Sequence, residues 1–230
     1  MALIAALIRH GDYCQLPGTP SAHQPFPLNE AGKRHARESA TDIQSMLDRL
    51  NLKLCPVIDS SQMLRGWQTA RIIADNLTLP GLEVQAFDAL AERSVGCAAN
   101  LSVKTIESVV HEDPRFPDPP SGWKSDSHYR LPLQGAESLL DAGERVAAHV
   151  TERMRKMGSD MARDTLKLFV GHGAAFRHAA YQMGVLEFEQ LAKLSMFHGR
   201  PVYMEYSPGP SWRHIGGEWK IRKPEEVFTD

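Results

Sequence analysis

The chain opens on eight uninterrupted apolar residues, Met1 to Ile8, that run straight into Arg9-His10-Gly11. No other feature constrains the fold as tightly. A membrane span would need roughly 20 apolar residues, and a secretory leader would need a basic start and a cleavage site. This run has neither. Apolar positions that end in a polar turn fit a buried parallel strand whose C-terminal end delivers Arg9 and His10. The N-terminus is then part of the fold, and the expected compartment is the cytoplasm.

The rest of the chain supplies partners for such a strand. Asn29 is placed to cap a helix whose residues Ala36, Ala40, Ile43, Leu47 and Leu50 recur at helical spacing. Cys55 to Asp59 reads as a short second strand ending in Ser60-Ser61. A helix follows from about Leu64 to Asn76, with Trp67, Ile72, Ile73 and Leu77 inward. Glu83 to Phe87 is a third strand, with Ala89-Leu90-Ala91-Glu92-Arg93 just beyond it. Glu137 to Met157 is a long helix with Leu140, Val146, Val150 and Met154 on one side. Thr165 to Val170 is a strand that leads through Gly171-His172-Gly173 into a helix from about Ala174 to Met183. Strand-like runs close the chain at Lys193–Phe197, Val202–Tyr206 and Trp212–Ile215. This alternation predicts a single α/β domain over residues 1–230, a three-layer α/β/α sandwich around a mostly parallel sheet. Between about residues 94 and 134, proline and glycine pairs break any long regular element, which marks an inserted cap rather than a linker.

Charge narrows the partners. Lys and Arg number 26 against 28 Asp and Glu, a net charge of −2, so neither nucleic acid nor an anionic membrane is expected. Arg153-Met154-Arg155-Lys156 reads as a solvated helix end. The three cysteines, Cys14, Cys55 and Cys97, form no metal-ligand spacing and suit a reducing compartment. Nothing here fixes an oligomeric state.

In sheets of this type, ligands gather at the carboxyl ends of the strands. Arg9-His10-Gly11, Ser60-Ser61 with Arg65, Glu92 and Gly171-His172-Gly173 all follow strand ends, so two histidines, two arginines and a carboxylate are placed to converge. Arginine forks match phosphate oxygens. A histidine can attack phosphorus when its attacking nitrogen is neutral and the other is held by an acceptor. A buried carboxylic acid at the rim can protonate the leaving oxygen.

Leu7-Ile8-Arg9-His10-Gly11 resembles the Arg-His-Gly motif of the histidine phosphatase superfamily, the phosphoglycerate-mutase-like proteins. Further segments resemble that family's in the same order. They are Leu28-Asn29-Glu30-Ala31-Gly32, Ser61 to Ala70 ("Ser-x-x-x-Arg-x-x-Gln-Thr-Ala"), Leu90-Ala91-Glu92-Arg93, Gly135-Ala136-Glu137-Ser138 and Val170-Gly171-His172-Gly173. Any one motif would be weak; the ordered set is specific. The resemblance implies a phosphoglycerate-mutase-like fold in which His10 is the nucleophile and Arg9, Arg65 and His172 bind the phosphoryl group. Glu92 would be the general acid and later the base, with His172 counted among the catalytic residues. It implies no metal and no organic cofactor, and a small phosphorylated substrate or a phosphoprotein as partner. The implied activity is a metal-independent phosphomonoester hydrolase working through phosphohistidine.

Departures from the family pattern matter too. Asn29 stands where Thr is usual, His35 where Gln is common, and Gly171 where Ser is common. The paired-arginine "Arg-Arg-Ser-Tyr" segment of cofactor-dependent phosphoglycerate mutases has no counterpart in the cap, which reads Trp123-Lys124-Ser125-Asp126-Ser127-His128-Tyr129-Arg130. Mutase is therefore the second reading, and a binding protein that keeps the pocket without turnover the third. Trp123, Tyr129 and Arg130 either line the pocket mouth or pack the cap. His198 either faces the pocket or is structural, with the structural role favoured. Asp12 is expected to shape the loop, and Cys14 to be a spectator.

Overall fold

The computed structural model describes residues 3–21, 23–160, 164–207, 209 and 211–223. Met1 and Ala2 of the opening apolar run lie outside these residues. The run itself is strand β1 (Leu3–Arg9), buried along its whole length. It pairs in parallel with β5 (Thr165–Gly171) and antiparallel with β7 (Pro201–Ser207). On the far side of β5 lie β3 (Val57–Ser61) and then β4 (Glu83–Phe87), both parallel, while the two-residue β2 (Lys53–Leu54) also joins β5. Beyond β7 comes β8 (Ser211–Gly216), giving the order β4-β3-β5-β1-β7-β8. A separate antiparallel pair, β6 (Leu194–Met196) with β9 (Trp219–Ile221), stands beside it. The sandwich architecture read from the sequence is thus the one observed.

Helices cover both faces, as fully apolar parallel strands require. One face packs on α1 (Glu30–Leu50) and α2 (Leu64–Asn76) through Ile4, Ala6 and Ile8 of β1, with Ile43, Ile58 and Ile73. The other packs on α4 (Leu139–Asp160) and α5 (Gly173–Gln182) through Leu7, Phe169, Val146, Val150 and Phe176. Asn29 caps α1, its side chain accepting from Gly32 N–H, and Asn51 closes it in the left-handed region. The expected inner faces need correction at three points. Leu50 and Trp67 are solvent-exposed, and at the start of α4 the fully buried leucine is Leu139 rather than Leu140.

The cap holds more structure than its prolines suggest. A helix, α3 (Val103–His111), is capped by Ser102 and buries Ile106 and Val110. With Val95, Ala98, Trp123 and Leu131 it forms a small core apart from the two main ones. A short last helix, α6 (Phe188–Leu191), precedes β6. No helix among the described residues is long and apolar enough to cross a membrane.

Candidate active site

His10 leaves the end of β1 with its backbone N–H still bonded to Gly171 O, so the two strand ends that carry the histidines are locked together. The turn out of β1 is possible only because two glycines meet. A Cβ on Gly11 would collide with the Gly32 carbonyl, and one on Gly32 with the Asp12 carbonyl. The Gln-Thr pair of the α2 motif then ties the loop down. Thr69 Oγ1 accepts from Gly11 N–H at 3.1 Å, and Gln68 Oε1 accepts from Leu28 N–H at 2.8 Å.

The tautomer of His10 follows from its partners. Nδ1 lies 2.7 Å from Gly11 O, an acceptor, so Nδ1 carries the proton. Arg65 Nε, a donor, lies 3.1 Å from Nε2, so Nε2 presents its lone pair. Burial, then the charge of Arg65, holds the His10 imidazole well below its ordinary proton affinity, so it is neutral near pH 7.

Arg65 enters from the start of α2 and is fully buried. It donates to Gln24 O at 2.9 Å and Ser21 O at 2.8 Å, and its guanidinium lies 4.5 Å over the Tyr13 ring. His172 Nδ1 is 3.3 Å from Arg65 Nη2, while its Nε2 donates to Ser61 Oγ at 2.9 Å. Burial first, and Arg65 second, lowers its proton affinity as well. The two imidazoles sit 5.0 Å apart, edge to face. The spatial convergence expected of His10, Arg65 and His172 is therefore present.

Arg9 and Glu92 take neighbouring places. Arg9 runs past Gly173 and donates through Nη1 to Met196 O at 3.0 Å. Glu92 is buried, and its Oε1 accepts from Arg93 N–H at 2.9 Å and from Ala175 N–H at 3.1 Å. Ala175 N–H is one of the orphan donors of the first turn of α5, whose N-cap is His172. Oε2 has no hydrogen-bond partner among the described residues.

Several other readings are settled by position. Trp123 packs inside the cap and donates to Glu107, with Tyr129 against it, while Arg130 is exposed and paired with Asp141. Trp123 thus belongs to the small core of the cap. His198 is half-buried and its ring lies 5.7 Å from that of His10, so it stands beside that buried imidazole. Asp12 shapes the loop by accepting from Asn29, and Cys14 is exposed. Gly171 is a packing requirement, because a Cβ there would fall 2.8 Å from Phe176 Cζ and 3.2 Å from Leu90 O. Arg153 does not end in solvent as expected: it reaches the buried Asp59 with Nε at 2.7 Å.

Some contributors escaped the sequence reading. Tyr13 and the carbonyls of Ser21 and Gln24 hold Arg65, yet backbone carbonyls leave no residue-type signal. Ser61, which orients His172, is the first residue of the α2 motif and was legible there only as a strand end.

Comparison with known proteins decides the family. Residues 5–212 match the histidine phosphatase superfamily (branch 1). The chain belongs to this superfamily. It is 30% identical over 149 residues to a 2,3-bisphosphoglycerate-dependent phosphoglycerate mutase of Allorhizobium ampelinum, covering 62% of this chain and 63% of that relative's length. A protein of the same name from Brucella ovis is 26% identical over 208 residues, 88% of this chain and 91% of the relative. Among solved structures, mycobacterial glucosyl-3-phosphoglycerate phosphatase superposes with a TM-score of 0.66 at 18% identity, covering 96% of this chain and 98% of that one. The alpha-ribazole phosphatase of Shigella flexneri gives 0.65 at 18% identity, covering 96% and 95%. At such identities these likenesses speak for the shared fold.

Proposed function

We propose that this superfamily member is a metal-independent phosphatase that hydrolyses phosphomonoesters, small or protein-borne, through a phosphohistidine at His10. The observation that carries the reading is the pair of bonds on the His10 ring, Nδ1 to Gly11 O and Nε2 from Arg65 Nε. Together they leave the lone pair of a neutral imidazole facing the guanidinium that would hold the phosphoryl oxygens.

In the first step Nε2 attacks phosphorus, a P–N bond forms and the ester P–O bond breaks. Arg65 and Arg9 spread the charge of the equatorial oxygens, the role that magnesium plays in kinases. An arriving dianion opposes the burial and positive charge that now keep His172 neutral, so Nδ1 gains a proton and becomes a donor. Glu92, its Oε1 anchored by two backbone amides, offers Oε2 to protonate the leaving oxygen. In the second step Oε2 takes a proton from water, the water oxygen attacks phosphorus, and the P–N bond breaks to release orthophosphate and neutral His10.

Replacing His10 by Ala should lower kcat/KM for an aryl phosphate by at least about a thousandfold, in the presence of chelator. Wild-type protein should form an acid-labile, base-stable phosphoenzyme. Undiminished turnover in the variant would sink the assignment.

The names of the curated relatives favour a second reading, phosphoglycerate mutase. Against it, the cap arginine Arg130 is committed to Asp141. Incubation with 3-phosphoglycerate and catalytic 2,3-bisphosphoglycerate separates the two: free phosphate without isomer supports the hydrolase, and isomerisation the mutase.

A further inference from the structure

A second cavity, about 280 Å³, lies beside the nucleophile's strand and is lined by Arg9, His35, Glu38, His198, Arg200 and Lys220. His10 is not part of its wall. The His198 ring stands between, 5.7 Å from His10 on one side and 5.7 Å from His35 on the other, tilted by 31° and 27°. Of the two rings, His35 in α1 stands at a departure from the family pattern, and His198 lies in the β6–β7 connection.

The wall is well supported. Gly199 N–H bonds to Arg9 O at 2.9 Å, and a Cβ on Gly199 would collide with His35 O, so the connection is clamped between β1 and α1. Lys220 comes from β9, paired in register with Ser195 of β6. Three separate pieces of chain, β1, the β6–β7 connection and β9, thus bring cations to one recess.

Three permanent cations, Arg9, Arg200 and Lys220, share this lining with one carboxylate, Glu38, and with the imidazoles of His35 and His198. Like charges held in a partly enclosed recess repel, and an anion carrying two or more charges relieves that repulsion. Guanidinium groups and imidazoles are also donors of the kind that oxyanions accept. The cavity has room for a sulfate-sized ion together with several waters.

We propose that this cavity binds a small multivalent oxyanion, distinct from the phosphoryl position at His10 Nε2, and that its occupancy slows the enzyme. The route is short, because Arg9 is shared between cavity and site, and both Arg9 and His198 place charge against His10. An anion that engages Arg9 competes for the donor that a transferring phosphoryl group needs. Binding stands on the cavity alone, whereas the effect on turnover rests on His10 as nucleophile.

Sulfate is the probe, with chloride at matched ionic strength as the control. Imidazole NMR signals of His35 and His198 should shift saturably with sulfate in wild-type protein. In the Arg200→Met/Lys220→Met double variant the His35 shift should require at least tenfold more sulfate, while turnover without added sulfate stays within twofold. Sulfate should lower kcat of the wild type and act only competitively on the variant. The site is overturned if His35 does not shift, shifts as much with chloride, or responds identically in the variant. Purely competitive inhibition of the wild type, with the shifts intact, overturns the link to turnover but not the binding.

Discussion

At the scale of single residues, Arg65 does more than any other side chain in the site. It donates to His10, to two carbonyls of the loop before α1 and faces His172, all while fully buried. Only the forked guanidinium can serve four partners from one stem, because an ammonium has three donors at a single point. Arg65→Lys keeps the charge and loses this geometry. Each charge-assisted hydrogen bond is worth about 1.5–3 kcal/mol, so losing two should reduce kcat for an aryl phosphate by about a hundredfold or more. Steady-state kinetics test this, and a fall confined to KM would show that Arg65 binds substrate without stabilising the transition state. Ser61 acts more locally: it holds His172 Nε2, while the donor-only Arg65 Nη2 facing Nδ1 leaves the proton on Nε2.

At the scale of elements, the sheet is held to α4 by a buried charge. Asp59 of β3 accepts from Lys167 of β5 at 2.7 Å and from His149 and Arg153 of α4 at 3.0 and 2.7 Å. Burial works against its charge, but these bonds outweigh it and hold the carboxyl below its ordinary value. Asp59→Ala would leave Lys167 buried and uncompensated, at a cost of about 3–5 kcal/mol, whereas adding Lys167→Met should recover most of it. Denaturant unfolding of the two variants checks the ranking; equal loss in both would show that the ion pair is incidental. This cluster also shows where sequence reading stops. Strands β1 and β3 to β8, with α1, α2 and α5, were legible from their apolar patterns and from the Asn, Gly or Ser at their ends, whereas β2 and β9, two and three residues long, were not. The motif residues of the site were legible for a related reason, since each lies in or just after the turn that leaves a strand. Lys167 was hidden inside an apolar run, and Arg153 looked solvated because its acceptor lies 94 positions away. α3 was missed because nine residues just ahead of a proline-rich stretch are too few to show a clear period.

At the scale of the whole molecule, the cap and body are joined around buried imidazoles, and this sets how the fold responds to acid. Arg145 of α4 bonds Glu137 and the carbonyls of Asp88, Ala89 and Ala91, while Ser127 of the cap donates to His178 Nε2 at 3.0 Å. His178 gives its Nδ1 proton to Ala174 O, and burial pushes it down to about 3. His10 and His172 are likewise held well below 6.5 by burial and then by Arg65. Below pH 6.5 the unfolded chain takes up protons at these three positions and the folded chain does not, so stability falls as pH falls. From about pH 6.5 to 5 the loss is at most about 2 kcal/mol per histidine, a total comparable with the stability of an ordinary domain. Asp59 does not titrate in this window, because its carboxyl is held below 3.8. His111, raised by its bond to Asp118, acts in the opposite sense, but it is exposed and solvent screens it. Calorimetry in phosphate-free buffer should therefore show Tm dropping steeply between about pH 7 and 5. In His178→Gln, where an amide can keep both the Ser127 and Ala174 bonds without titrating, about a third of that drop should vanish. A Tm that stays level over this interval in the wild type would mean that the three imidazoles are not held neutral by the fold, and the lone pair assigned to His10 would lose its physical basis.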